Sequence, residues 1–389
     1  MSLYLHVPFC TTKCGYCDFY SLGGGVQPTG RLVECLLAEL TRRLTQFEPV
    51  LVTIFVGGGT PTVLGGQELT RLFWSLGQLA SLHPVGEFTV EANPETLDTD
   101  KANALLRADV TRLSLGAQSF HPAELAVLER IHDPASLAAS VKTARAAGFE
   151  QINLDLIFGI PGQTLVSWRD SLRAALELEP THLACYGLTY EPGTALAARR
   201  DRGLVQPCDE NLEAEMFCAT IDELAAAGFQ HYEISNYALP GCRCEHNLRY
   251  WRNEPYLGIG PSAASYVNGR RWRNVPHLDR YLQTVEAGCW PETDVETLDA
   301  LSAIRETAML GLRLREGVAV AAVRRRFGVD PLALFRPMIE SFSALGLLEA
   351  DQRFIRLTRR GLMVANEVMA EFLTGQVDEA AISNPVATI

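Results

Sequence analysis

The chain has 389 residues, 47% hydrophobic and 21% charged, enough apolar material for one large core and a smaller second unit. Its 34 basic and 46 acidic residues leave a net charge of −12, which argues against a nucleic-acid partner. No apolar run approaches the roughly 18 residues of a bilayer span, so no transmembrane segment is expected, and peripheral membrane contact stays open.

The opening MSLYLHVPFC lacks the charged region and apolar stretch of a signal peptide. Of ten cysteines, Cys10, Cys14 and Cys17 stand together and seven are scattered, which reads as a metal site in a reducing compartment, the cytoplasm. A strand over Ser2–Val7 leads into the cysteine loop, followed by a helical pattern over Gly30–Leu44. A second strand, Val50–Val56, runs into GGGTPT, with a helix over Gly66–Leu79 after it. Strand Glu87–Ala92 precedes a helix that Thr96 or Asp98 would cap. Strands at Thr111–Leu115, Gln151–Phe158, His182–Leu188 and His231–Ser235 continue the series, with helices at Pro134–Ala147, Ser167–Leu178 and Glu210–Ala227 between them. This alternation predicts α/β architecture built of parallel βα units, whose chemistry lies in the loops after the strands. The cysteines, the GGGT run, Glu91, Gln118 and Asp155 all fall at or near strand C-terminal ends and are expected to converge on one face.

After Tyr266 the pattern changes, and Asn268–Glu286 reads as a connection with a short helix. Helices are expected at Leu301–Leu312, Val318–Phe327 and Pro331–Leu345, then two short strands in GLLEADQRFIRLTRRG and a last helix over Leu362–Phe372. The predicted organisation is a core over 1–267, a connecting segment over 268–298, a smaller helical, winged-helix-like domain over 299–375 and a flexible tail over 376–389. The winged-helix-like unit is read as a packing domain rather than a DNA reader.

CTTKCGYC sets Cys10, Cys14 and Cys17 in C-x3-C-x2-C spacing. Thiolates suit iron–sulfur clusters, and a [4Fe–4S] cluster held by three of them keeps one iron open to an outside chelator. A zinc site completed by Asp18 or His6 is the alternative, as are unrelated buried cysteines.

The segment YLHVPFCTTKCGYCDFYS resembles the radical SAM superfamily, in particular its oxygen-independent coproporphyrinogen-oxidase-like branch. That resemblance implies a partial (β/α)6 barrel and a [4Fe–4S] cluster on Cys10, Cys14 and Cys17. It also implies S-adenosylmethionine (SAM) chelated by the open iron and cleaved reductively to methionine and a 5′-deoxyadenosyl radical. Tyr4 matches a family position at the SAM site, and Tyr16 an aromatic that contacts adenine. Gly57, Gly58, Gly59 and Thr60 correspond to the segment that binds the SAM amino group; glycines allow such close backbone approach, although a glycine triplet alone is more often a turn. Glu91 in TVEANPE, Gln118 in LSLGAQSF, Arg130 in VLERIHD and Asp155 in INLDLIFGIPGQT match positions that contact SAM or line its pocket. A strand-end carboxylate can pair with the SAM ammonium or ribose hydroxyls, Arg130 with its carboxylate, and Gln118 can donate and accept.

Within this branch the alternatives are a coproporphyrinogen III dehydrogenase, which decarboxylates two propionates, and a HemW-type chaperone, which delivers heme to acceptor proteins. Phe19 stands where the dehydrogenases carry a fourth cysteine, Tyr4 leaves no room for their N-terminal extension, and CEHNLRYW matches a motif of the chaperones. The resemblance therefore implies a heme chaperone with a heme-acceptor partner. His246 is its expected heme-binding residue and axial ligand, with Tyr250 and Trp251 packing on the porphyrin. GPSAASY departs from the relatives: Ala264 replaces an expected histidine, leaving His231 or Cys244 as substitute ligands.

Overall fold

A computed structural model describes residues 1–378 and residue 381. The strands of its main sheet are β1 (Ser2–Val7), β2 (Thr53–Gly58), β3 (Glu87–Ala92), β4 (Arg112–Gln118), β5 (Gln151–Phe158) and β6 (His182–Gly187), followed by β7 (Gln230–Glu233), β8 (Asn236–Ala238), β9 (Tyr256–Ile259), β10 (Ala264–Val267), β11 (Arg270–Asn274) and β12 (Glu292–Thr297). They lie in the order β12-β11-β10-β9-β1-β2-β3-β4-β5-β6-β8-β7. The run from β1 to β6 is parallel in chain order, as six successive βα units dictate. These strands are buried on both faces, with Leu113, Leu115, Ile152, Leu154 and Leu156 fully enclosed, which is why they read as near-continuous apolar runs. Side chains from β2, β3, β4, β5, β6 and β8 line one interior chamber, so the sheet curls into an open barrel.

Helix ends follow local chemistry. The Asp98 carboxylate accepts from the Lys101 amide and starts the Thr99–Arg107 helix, settling the choice between Thr96 and Asp98. Thr164 and Asp133 close capping boxes with Ser167 and Ser136.

Residues 268–298, expected as a connecting segment, instead extend the sheet through β11, the Leu278–Glu286 helix and β12. RRWRN hides its strand character because three of its five residues are arginines. Trp272 and Asn274 face inward, while Arg270, Arg271 and Arg273 pair with Glu292, Glu306 and Asp294. The buried Glu39 carboxylate ties this flank to the Thr29–Phe47 helix, accepting from Tyr281 Oη (2.7 Å), Asn274 Nδ2 (2.8 Å) and the Gly260 amide (3.0 Å).

The C-terminal region carries the expected hairpin, Leu348–Ala350 and Phe354–Leu357, joined by Val318–Ala319 as a third strand. The single helix expected over Pro331–Leu345 breaks at Phe335 into Pro331–Leu334 and Arg336–Ala344, because Pro337 lacks an amide hydrogen and crowds the preceding turn. The last helix is Ala365–Thr374 and packs on Ala300–Gly311. Of the tail expected over 376–389, residues 379, 380 and 382–389 lie outside the described residues. Among the described residues no helix is long and apolar enough to cross a membrane.

Candidate functional site

β1 ends at Val7, level with Gly58 at the end of β2, and the cysteine loop follows at that edge of the sheet. Phe9–Cys10 pairs with Leu22–Gly23, and the Leu196 amide donates to Gly15 O at 2.8 Å, so the loop is pinned at its base and its tip. Cys10, Cys14 and Cys17 line one cavity with about 690 Å³ of empty space, part of it open to solvent. Tyr16, Gly58, Gly59, Thr60, Glu91, Gln118, Arg130 and Asp155 line the same cavity. The structure thus brings together most of the residues singled out from sequence.

The thiols have polar neighbours. Arg130 Nη1 donates to Cys14 Sγ at 3.3 Å and Thr60 Oγ1 to Cys10 Sγ at 3.7 Å. Burial pushes the Cys10 and Cys17 thiols up, with the Thr60 hydroxyl acting against it at Cys10. His6, considered above as a zinc ligand, has both ring nitrogens engaged, Nδ1 with Tyr4 Oη (3.0 Å) and Nε2 with Tyr20 O (2.8 Å). Among the described residues no three His, Cys, Asp or Glu side chains are disposed to hold a single metal ion. Three thiolates around a common cavity rather than a common point fit a polynuclear cluster, in which each sulfur binds its own iron.

The glycine run makes close approaches. A Cβ on Gly57 would lie 2.5 Å from Glu91 Oε2, and one on Gly58, at φ +106°, would lie 2.3 Å from the His6 ring. The Gly58 amide donates to Glu91 Oε2 at 3.0 Å. Burial, reinforced by the nearby Asp155 charge, pushes the Glu91 carboxyl up to about 7. Burial likewise lifts Asp155 to about 6, against hydrogen bonds from Asn153 (2.8 Å) and Ser114 (3.3 Å). Asp155 sits mid-strand, opposite Gly116, rather than at the end of β5. Gln118 has φ +64° at a register shift between β4 and β5, which turns its side chain into the cavity.

Tyr4 is placed differently from the others. It lines an adjoining cavity with Phe19, Phe55, Gly58, Glu91, His246 and Tyr250, and its hydroxyl pairs with the His6 ring. Sequence reasoning missed Asn93, whose Nδ2 donates to Thr60 at 2.8 Å while its Oδ1 accepts from Arg130 at 2.9 Å. It also missed Ser21, a buried hydroxyl on the cavity wall beside the Cys10 thiol. Asn93 stands two residues past Glu91 at the strand exit, which was the available signal.

The HNLRYW segment forms the Glu245–Trp251 helix, whose N-terminus the Glu87 carboxylate caps, accepting from the Glu245 amide (2.8 Å) and the His246 amide (3.1 Å). His246 is 1% exposed; its Nδ1 pairs with Thr53 Oγ1 (3.0 Å), its Nε2 with Tyr250 Oη (3.2 Å), and its ring lies against Phe55. Burial drives its pKa down to about 3, so the imidazole is neutral. As placed, the expected axial ligand presents no free nitrogen to an iron. The substitutes are also engaged: Cys244 is buried against Glu87, and the half-buried His231 stacks on Tyr237 at 4.5 Å with Nε2 on Ile234 O. His246→Ala should therefore cost about 1–3 kcal/mol of stability and leave the Soret band of bound heme in place. Thermal unfolding and a heme spectrum of the same variant check both halves.

A family model of the radical SAM superfamily matches residues 4–175, and one of the HemN C-terminal domain matches residues 298–364. The heme chaperone HemW of Lactococcus lactis is 36% identical over 97% of this chain and 98% of its own. The heme chaperone HemW of Mycobacterium tuberculosis is 39% identical over 95% of this chain and 94% of its own. Among solved structures, the coproporphyrinogen III oxidase of Escherichia coli superposes with a TM-score of 0.83 at 23% identity, covering 96% of this chain and 90% of that one. This last likeness shows the radical SAM barrel fold.

Proposed function

We propose that this chain, which belongs to the HemW family within the radical SAM superfamily, binds heme and passes it to acceptor proteins in the cytoplasm. What carries the reading is similarity to heme chaperones over almost the whole chain, including the C-terminal region. Phe19 supports it, standing exposed on the cavity wall where a dehydrogenase would carry a further cysteine.

Cys10, Cys14 and Cys17 would hold the [4Fe–4S] cluster, and Arg130 offsets thiolate charge at Cys14. The same cavity would hold SAM beside the cluster. The Gly57–Gly59 backbone lets the ligand approach, Glu91 and Asp155 supply negative charge for its ammonium or ribose hydroxyls, and Gln118 adds a donor and an acceptor. Tyr16, packed beside Leu128 and Ile157, offers an aromatic wall for adenine. The cluster, when bound, supplies an open iron to chelate SAM and an electron to cleave its sulfonium.

The decisive experiment is anaerobic reconstitution, then heme titration and coproporphyrinogen III turnover on one sample. Heme should bind, and no protoporphyrinogen should form with SAM and a reductant. Product formation would move the chain to the dehydrogenase class.

A further inference from the structure

A second large cavity lies away from the cysteine edge, where the barrel meets the C-terminal region. It contains about 1130 Å³ of empty space, part of it open to solvent, and shares no lining residue with the cluster cavity. Trp251, the last residue of the HNLRYW helix, lines it together with Leu314, Val318, Val323 and Phe327. Leu314, Val318, Val323 and Phe327 are buried, so the cavity has an apolar floor.

Its charges are unbalanced in one direction. The two carboxylates on the wall are already spent, Glu316 on Arg252 at 3.2 Å and Glu254 on Arg249. Arg326 donates only to neutral acceptors, Asn253 O at 2.7 Å and Tyr266 Oη at 3.2 Å. Arg325 is exposed, and among the described residues neither it nor Arg326 has a carboxylate within ion-pair distance. Two guanidiniums without counter-ions therefore stand on one helix beside an apolar slot, in a chain whose net charge is −12.

We infer that this groove is the heme seat, with the macrocycle on the Trp251–Phe327 floor and its two propionates on Arg325 and Arg326. The inference rests on the heme-chaperone reading and deepens it by naming the site. An apolar planar ring carrying two carboxylates is the complement of an apolar slot flanked by two guanidiniums that no carboxylate neutralises. The groove wall carries no His, Cys, Met or Tyr side chain. The porphyrin is thus held by ring packing and propionates rather than by one of the usual axial ligands. This leaves the iron's axial positions open for an acceptor protein's ligand, which suits delivery better than storage.

The test is titration of the full-length, cluster-reconstituted protein with hemin and with iron-free protoporphyrin IX. Arg325→Glu should weaken both by at least about tenfold, since it turns an attraction for a propionate into a repulsion. Ala322→Trp, at an exposed helix position on the groove wall, should block both sterically. Arg324→Glu, on the same helix but paired with Asp330 and off the wall, should leave affinity within about twofold. Iron-free protoporphyrin should bind within about threefold of hemin, because no axial bond is lost. Hemin affinity unchanged in both Arg325→Glu and Ala322→Trp would overturn the groove assignment, leave the chaperone reading standing, and give the groove to another occupant such as a partner's apolar segment. Wild-type protein that takes up no hemin would overturn the chaperone reading itself.

Discussion

Alanine in place of any one of Cys10, Cys14 or Cys17 should take reconstituted protein from about four irons per chain to nearly none and abolish its thiolate-to-iron absorption. The expectation is all-or-none for a structural reason. The loop offers three sulfurs around one cavity and no spare, because position 19 is phenylalanine and the remaining cysteines lie elsewhere. Cys35 is buried, directing its Sγ toward Leu282 O, and Cys289 is exposed beyond the Leu278–Glu286 helix, so neither can stand in. Cys35→Ala and Cys289→Ala should accordingly retain the full iron and sulfide content. Iron and acid-labile sulfide assays on the five variants, read beside their spectra, make the comparison. A loop variant that keeps four irons would mean that another thiolate completes the site, and wild-type protein taking up only zinc would remove the cluster altogether.

How far the sequence carries depends on where the partners of each residue lie. The six parallel strands were legible because strands covered on both faces are written as unbroken apolar runs, and Gln151–Phe158 appears as expected to the residue. The RRWRN strand was not legible, because its outward arginines owe their place to carboxylates on other elements, notably Glu292, Asp294 and Glu306. Glycines, cysteines and strand-end carboxylates pointed to the cavity because each residue type states its chemistry locally. The helix containing His246 could not be read that way. Its cap comes from Glu87, 158 residues before Glu245, and its imidazole is claimed by Thr53, 193 residues away. The backbone turn at Gln118 left no mark either, since a left-handed glutamine depends on the register of two neighbouring strands.

SAM affinity should rise as pH increases from about 5 to about 8, and Glu91→Gln should both weaken it and flatten that rise. Glu91 and Asp155 face one cavity that Arg130 also lines, its guanidinium bonded to Gly116 O opposite Asp155, with the neutral His6 ring behind Gly58. Burial holds the two carboxyls up at about 7 and about 6 without ligand. Both values exceed the ordinary carboxylate range, so the sign is that of a group preferring its proton in the fold. These groups contribute stability below about pH 4, and the contribution is lost as pH rises through 6 and 7. An incoming ammonium reverses the preference, so binding at pH 6 must expel protons that are already gone at pH 8. SAM should therefore stabilise the protein more at pH 8 than at pH 6, a difference that thermal shifts with and without ligand record directly. Losing a charge-assisted contact of about 1.5–3 kcal/mol predicts a roughly 10- to 100-fold weaker affinity for Glu91→Gln at pH 8. This isosteric change is a cleaner probe than a bulky residue at Gly58, which would strike the His6 ring and with it the Tyr4–His6–Tyr20 chain beside the cysteine loop. Iron content should stay at the wild-type level in Glu91→Gln, separating loss of SAM from loss of the cluster. Unchanged SAM affinity in that variant, or a wild-type affinity flat across the range, would take Glu91 out of the SAM site.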